Sequence, residues 1–523
     1  MPKHKANGTK TLDLGVKHAG IASFVFIAKA ISLIVGGVML IVITRLLGPA
    51  QYGIYTLSLA ISGFIVGFGS LNISAYFNKN IPKLIAKGEE REIGIIVGDS
   101  LLFLLFLSLM LIFIGAVLAG FIAETVFGSV SYIEYVYLAL STVLWYIIYS
   151  TFTSVLVSFG IAREVGIASV CGLIFQSVLS IILVSLGFGA VGAILGYTAS
   201  LLIGSAIVLY YINAHVPIRF TLGGIRNRLH EMIMFSIPLT VTAIITSLTA
   251  NFVVIFFGIL LISTSAIGEY GIAARVGQVF DAVSGAISVV LIPMFATAVY
   301  NKHSISKISK LYHDSVYYNL LFTTPLIVYA SVLSKDIILT LFTSAYTLAI
   351  IYMPLVSIGM LISFLWNAAY YMTISIGRVD KVLRFAIICT AIQLVSMLIL
   401  GELFGVIGVI IAYFYIGNIA FAFFYFRGLR NFGMHIKLGP ILKLIISNLI
   451  FGAALVPLVF LQIRPLYVLI IGVVLGLILY PIALIKMGAL SKNELDVLYQ
   501  VSNGMPFIGG IFRVLLQYSE FFL

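Results

Sequence analysis

The chain has 523 residues, of which 62% are hydrophobic and 9% charged, with a mean hydropathy of +1.18 and a formal charge of +12. A soluble globule carries about 25% charged residues, so this composition excludes one and reads as an integral membrane protein. The cations lie between apolar runs rather than on one solvated domain, which argues against nucleic acid as a partner.

Apolar runs of about 20 residues, enough to cross a hydrocarbon core of about 30 Å as a helix, occur about fourteen times. They lie near 20–44, 52–76, 93–122, 132–160, 165–186, 190–213, 232–262, 269–299, 313–333, 345–376, 382–400, 405–426, 441–461 and 465–486. The alternation of a membrane β-barrel is missing, and lipid leaves the helix bundle as the other way to satisfy the backbone. The expected fold class is an all-α polytopic membrane protein. The first run follows the basic stretch MPKHKANGTKTLDLGVKHAG without a cleavage-site pattern, so it is expected to be a retained helix.

The second run opens at RLLGPAQYGIYTLSLAI (45–61), and nearly the same wording returns at IGEYGIAARVGQVF (267–280). Tyr52-Gly53-Ile54 then aligns with Tyr270-Gly271-Ile272, GAVGAILGY (189–197) with GVIGVIIAY (405–413), and Gly160 and Gln176 with Gly377 and Gln393. These offsets are 216 to 218 residues, so one unit of six helices occurs twice. An even helix number returns the chain to the same side, which gives the two copies one topology and places a site between them near the midplane. The expected layout is a cytoplasmic basic tail (1–19), an N-lobe (20–215), a cytoplasmic linker (216–231), a C-lobe (232–430), two further helices (431–490) and an interfacial amphipathic tail (491–523).

With a cytoplasmic N-terminus and fourteen helices, 25 of the 30 basic residues fall in inner segments. The outer segments hold only Arg45, Lys335 and Arg464. This is the positive-inside pattern, and it puts both termini in the cytoplasm of a multi-pass cell-membrane protein.

The order of basic tail, RLLGPAQYGIYTLSLAI, the basic loop KNIPKLIAKGEERE, FSIPLTVTAI, LFTSAY, ISIGRVDKV and GVIGVIIAY resembles the polysaccharide transporter, or oligosaccharide flippase, family of the multidrug/oligosaccharidyl-lipid/polysaccharide exporter superfamily. The resemblance runs to about residue 486. It implies two six-helix lobes in a pseudo-twofold, MATE-like V, often with two added C-terminal helices. It further implies outward movement of a polyprenyl-(pyro)phosphate-linked oligosaccharide, with that lipid-linked substrate, membrane lipids and glycan assembly enzymes as partners. A lipid II-type flippase and a cation-coupled multidrug or metabolite antiporter of the same superfamily are the rival readings.

Few charges lie well inside an apolar run, and a buried intramembrane charge points to function. Lys29 stands nine residues after Gly20, roughly 14 Å into the first helix at 1.5 Å per residue. In ARVGQVFDAVS, Arg275, Gln278 and Asp281 recur every third residue and share an arc of about 120°. The aligned positions in the first copy are Leu57, Ala60 and Gly63, so packing symmetry does not explain these polar groups. Lys29 and Arg275 are the candidate cations for a lipid pyrophosphate. Asn251, Ser247, Thr240, Gln176, Gln393, Asn367 and the run SYIEYVYLALSTVLWYIIYS are candidates for sugar contacts. Helix-helix hydrogen bonding is the competing role for each of these.

No catalytic, metal or cofactor site is expected. All seven histidines fall in tails, loops or helix edges, no GxxxxGK[ST] occurs, and Cys171 and Cys389 sit inside expected spans. The N-lobe carboxylates Asp99, Glu124, Glu134 and Glu164 are expected near helix ends, which weakens the antiporter reading.

Overall fold

The computed structural model describes residues 5–221, 223–300, 304–490 and 495; the side chains of residues 1–30 and of short stretches near 246–250 and 286–290 lie outside that description. The tail expected over 491–523 falls almost wholly outside it as well. Each of the fourteen apolar runs folds as helix, because a backbone without water must pair its own N–H and C=O groups. In chain order the helices are α1 (Lys5–Gly69), α2 (Ile73–Lys87), α3 (Glu90–Val117), α4 (Ala119–Phe127), α5 (Ile133–Ser158), α6 (Ala162–Leu183), α7 (Gly189–His215) and α8 (Ile225–Ile259). There follow α9 (Thr264–Tyr300), α10 (Ile305–Val332), α11 (Ser334–Leu341), α12 (Ala349–Ser375), α13 (Val379–Ile410), α14 (Asn418–Arg430), α15 (Leu438–Val459) and α16 (Pro465–Lys486). No strand occurs among the described residues.

Among those residues eight helical stretches are long and apolar enough to cross a membrane, or nine if the bent pair α10 and α11 forms one span. Two of them, Arg163–His215 with 53 residues and Asp380–Arg430 with 51, are each about twice the length that one crossing requires. Each is kinked near its middle, so the expected fourteen crossings are consistent with the observed helices.

The breaks explain the two recurring phrases. Within α1, Gly48 takes φ 70° and ψ 174° and Pro49 follows. No atom stands within 4 Å of a Cβ placed on Gly48, so the left-handed φ is what requires glycine, and Pro49 removes the next helical donor. The second copy stops differently: Leu261 turns the chain with φ 53°, and the Ser263 hydroxyl accepts from Ala266 N at 3.3 Å to start α9.

The duplication is visible in backbone angles. Gly189 has φ 54° and ψ −137°, and Gly405 has φ 58° and ψ −134°. A short π-helical stretch, Val184–Phe188, runs directly into Gly189, and another, Ile411–Gly417, begins six residues beyond Gly405. Three residues after each kink, a Cβ on Gly192 would lie 2.8 Å from Leu183 and one on Gly408 would overlap the Leu400 carbonyl. The same tight return is thus built twice. The ends of α5 and α12 match too, with Gly160 N bonded to Val157 O and Gly377 N to Ile374 O, each at 2.9 Å.

The chain forms two compact units, residues 1–268 and 269–523. By sequence α8 opens the second copy, yet it packs in the first unit, on α1, α2, α3 and α4. The core of unit 1 gathers Ile73, Phe77, Ile93, Val97, Phe152, Val155, Val208 and Met232. In unit 2, α10 packs on α12, while α15 and α16 build a satellite core of Leu333, Phe451, Leu455, Leu458 and Val468.

Connecting segments are strapped to the third helix of each copy. In unit 1, Arg219 N donates to Gly94 O at 3.0 Å, and a Cβ on Gly94 or Gly98 would overlap the carbonyl of Pro217 or Arg219. In unit 2 the segment after α14 lies on α10 through side chains. His435 N donates to Ser309 Oγ at 3.0 Å, and Lys437 N donates to His313 Nδ1 at 3.3 Å.

Candidate functional site

The polar stripe expected on the eighth span lies on α9. Near its N-terminal end Glu269 is 4% exposed, and its Oε2 accepts from Leu348 N and, at 3.0 Å, from Ala349 N. The carboxylate satisfies donors left open at the start of α12. Its counterpart in the first copy, Gln51, does the same for α7, accepting from Ala190 N at 3.1 Å. Beside them Tyr52 and Tyr270 are buried, and a Cβ on Gly53 would overlap the Thr264 carbonyl within unit 1. The recurring Gln/Glu-Tyr pair is therefore a cap and an anchor in both copies, and Gly53 adds a close approach in the first.

Arg275, Gln278 and Asp281 follow, and all three are exposed. Arg275 Nη1 donates to Gln278 Oε1 at 3.1 Å. Asp281 lies within electrostatic range of Tyr413 and forms no ion pair among the described residues. One turn further, Ser284 is 2% exposed and accepts from Asn319 Nδ2 at 2.9 Å. The stripe thus continues from accessible charges into a buried hydrogen bond. Asn319 Oδ1 has no partner.

The remaining candidates divide. Lys29 lies on α1, but its side chain is outside the described residues, as is that of Ser247. Asn251 is half-buried on α8 in unit 1, where its amide covers Gly63; a Cβ there would come within 2.7 Å of Asn251 Oδ1. The structure therefore joins Arg275 with Gln278, and gives Asn251 a packing contact of its own. Thr240 and Gln393 serve the backbone: Thr240 Oγ1 donates to Ser236 O at 2.8 Å, and Gln393 Nε2 to Tyr413 O at 2.9 Å.

Two expectations are corrected. Asp99 is not at a helix end; it stands ten residues into α3, is 2% exposed, and accepts from Arg228 Nε at 2.6 Å. Arg228 also donates through Nη1 to Gly223 O at 2.9 Å and through Nη2 to Thr221 O and Oγ1 at 3.1 Å. The spacing Gly94-x-x-x-Gly98-Asp99 was the available signal, since two glycines one turn apart mark a close approach. His313 likewise is no edge residue, being buried nine residues into α10. Among the described residues no group of three or more potential metal ligands exists.

An all-helical chain with membrane-length helices and a duplicated backbone is a polytopic membrane protein, and this one carries an accessible charged stripe on one helix. The chain belongs to the family described as "Polysaccharide biosynthesis protein", whose model matches residues 42–351, more than half of its length. The fold is that of the solved "Lipid II flippase MurJ, inward closed conformation", with a TM-score of 0.71 at 15% identity over 88% of this chain and 97% of that one. An inward-facing multidrug resistance MATE family transporter of the MOP superfamily aligns with a TM-score of 0.57 at 17% identity, over 78% of this chain and 94% of that one. No curated protein matches the chain by sequence.

Proposed function

We propose that the protein is a flippase that moves a polyprenyl-(pyro)phosphate-linked oligosaccharide from the cytoplasmic to the external leaflet of the cell membrane, without itself being an enzyme. The observation that carries the reading is the exposed Arg275–Gln278–Asp281 stripe on α9, a membrane helix that is otherwise largely apolar. A charge exposed at such depth needs water or a charged partner rather than lipid. Arg275 brings five N–H donors in a planar fork suited to phosphate oxygens, and Lys29 supplies a second cation on α1. Outward transfer of the anion is favoured by an inside-negative potential, by about 2.3 kcal/mol per charge per 100 mV. The cations offset the transfer of the phosphate from water, and alternation of two lobes, 20–215 and 232–430, presents it to either leaflet.

The test is translocation of lipid-linked oligosaccharide in proteoliposomes, with the amount of folded protein as control. Lys29→Ala and Arg275→Ala should abolish or strongly reduce flipping at unchanged protein level, Arg275→Lys should be milder, and Asp281→Asn should cost less than Arg275→Ala. Full activity of both alanine variants would sink the mechanism. Transport of lipid II or of a cationic drug in place of the oligosaccharide would transfer the protein to a rival reading.

A further inference from the structure

The ends of α13 and α14 in unit 2 carry an unusual concentration of cations. Arg378, Lys381 and Arg384 open α13, Arg427 and Arg430 close α14, and the carboxylate among them is Asp380. The two ends are packed together. Phe385 stands 5.6 Å from Phe424 and 5.3 Å from Tyr425, and a Cβ on Gly428 would lie 3.2 Å from the Phe385 ring. Arg384 and Arg427 are the chain neighbours of those contacts. The turn after α14 brings in Phe432, whose ring has Lys381 Nζ at 4.8 Å and Arg378 Cζ at 5.6 Å from its centroid. These are cation–π distances, so two of the charges are held in place.

The internal repeat supplies a control. At the register of 216 to 217 residues, the matching positions in unit 1 are Ile161, Glu164, Ile167, Tyr211 and Ala214. There the structure has an open apolar groove of about 380 Å³, lined by Ile167, Ala206, Ile207, Tyr210 and Tyr211. The only cation on the matching stretch of α6 is Arg163, next to Glu164. The fold and its insertion therefore do without five cations at this place, and topology alone does not account for them.

We propose that the joined ends of α13 and α14 form a binding site for the phosphate of an anionic phospholipid in the leaflet these residues face, the cytoplasmic one by the charge pattern. The exposed side of each helix passes from basic to apolar along one stripe. Arg384 is followed by Ile387 and Ile388, which are 49% and 42% exposed, and Arg427 is preceded by Phe423, 55% exposed. A lipid matches both parts, with its phosphate on the guanidinium groups and its acyl chains along the isoleucines and Phe423. A free phosphate, a nucleic acid or an acidic protein matches only the charge.

The experiment uses the full chain purified in detergent and equilibrated with phosphatidylglycerol or phosphatidylcholine, the retained lipid being counted by native mass spectrometry. The wild type should retain phosphatidylglycerol in preference. In Arg384→Gln/Arg427→Gln/Arg430→Gln that retention should fall about a hundredfold, while Arg163→Gln leaves it unchanged and the triple Arg→Lys variant keeps most of it. Raising salt from about 0.05 to about 0.5 M should weaken retention by the wild type, since the Debye length shortens severalfold. That arm decides the matter if the triple variant does not fold. Equal retention of the two lipids, a triple glutamine variant that binds as the wild type does, or full displacement by millimolar inorganic phosphate or polyglutamate would overturn the site. Flipping activity is not the readout, so failure here leaves the transport reading untouched.

Discussion

Replacing either member of the Arg228–Asp99 pair by alanine should destabilise unit 1 unequally, and the inequality follows from what each change leaves behind. Arg228→Ala strands a carboxylate that is 2% exposed, whose Oδ1 already lacks a partner and whose Oδ2 loses a 2.6 Å bond. An uncompensated buried charge costs about 3–5 kcal/mol. Asp99→Ala instead leaves a guanidinium that is 23% exposed and still bonded to Gly223 O, Thr221 O and Thr221 Oγ1. One hydrogen bond to a charged group is lost there, about 1.5–3 kcal/mol. The double alanine variant removes both charges and should lie nearer to Asp99→Ala than to the sum of the single effects, the two sites being coupled. The assay is the rank order of unfolding temperatures of the purified variants in one detergent, followed by tryptophan fluorescence. An Asp99→Ala variant as unstable as Arg228→Ala, or an additive double variant, would refute this account of the pair.

Gly98→Ala puts a methyl group into the Arg219 carbonyl and should lower the unfolding temperature by the equivalent of about 1–3 kcal/mol, whereas Gly37→Ala, with no atom within 4 Å, should not. Glu269→Ala leaves two N–H groups at the start of α12 without their acceptor and should cost about 1–3 kcal/mol, while Glu269→Gln, which keeps an acceptor oxygen, should recover most of that loss in the same melt. Gly63→Ala should displace the Asn251 amide; if Asn251 serves only to pack α8 on α1, stability falls and the substrate preference in proteoliposomes is unchanged.

The helices were legible because lipid enforces them: an apolar run of sufficient length has one backbone solution, and every expected run folded as helix. The duplication was legible because close approaches and kinks need glycine, so Gly189 and Gly405 persist where most neighbouring residues differ. The role of Glu269 was not legible, since its partners at 348 and 349 are about 80 residues away and backbone donors leave no mark in a sequence. The pairing of Asp99 with Arg228 crosses 129 positions, and each residue alone reads as an ordinary charge near a membrane surface. Asn319 and Ser284 meet across α10 and α9 in the same unannounced way. Of the stripe on α9, the spacing of three gave the shared face, while the Arg275–Gln278 hydrogen bond needed the side-chain geometry.

The segment after α7 joins one copy of the repeat to the next, and such a joint is ordinarily where a tag, a fluorescent domain or a split point is placed. Here its backbone rests on α3 at Gly94 and Gly98, and Arg228 ties Thr221 and Gly223 to Asp99. It behaves as a fixed ruler rather than slack cord: one added residue would shift every later carbonyl off its glycine or guanidinium. The turn between α15 and α16 is exposed at Leu461, Gln462, Ile463 and Arg464 and has no such strap among the described residues, which makes it the better place to open the chain for a probe.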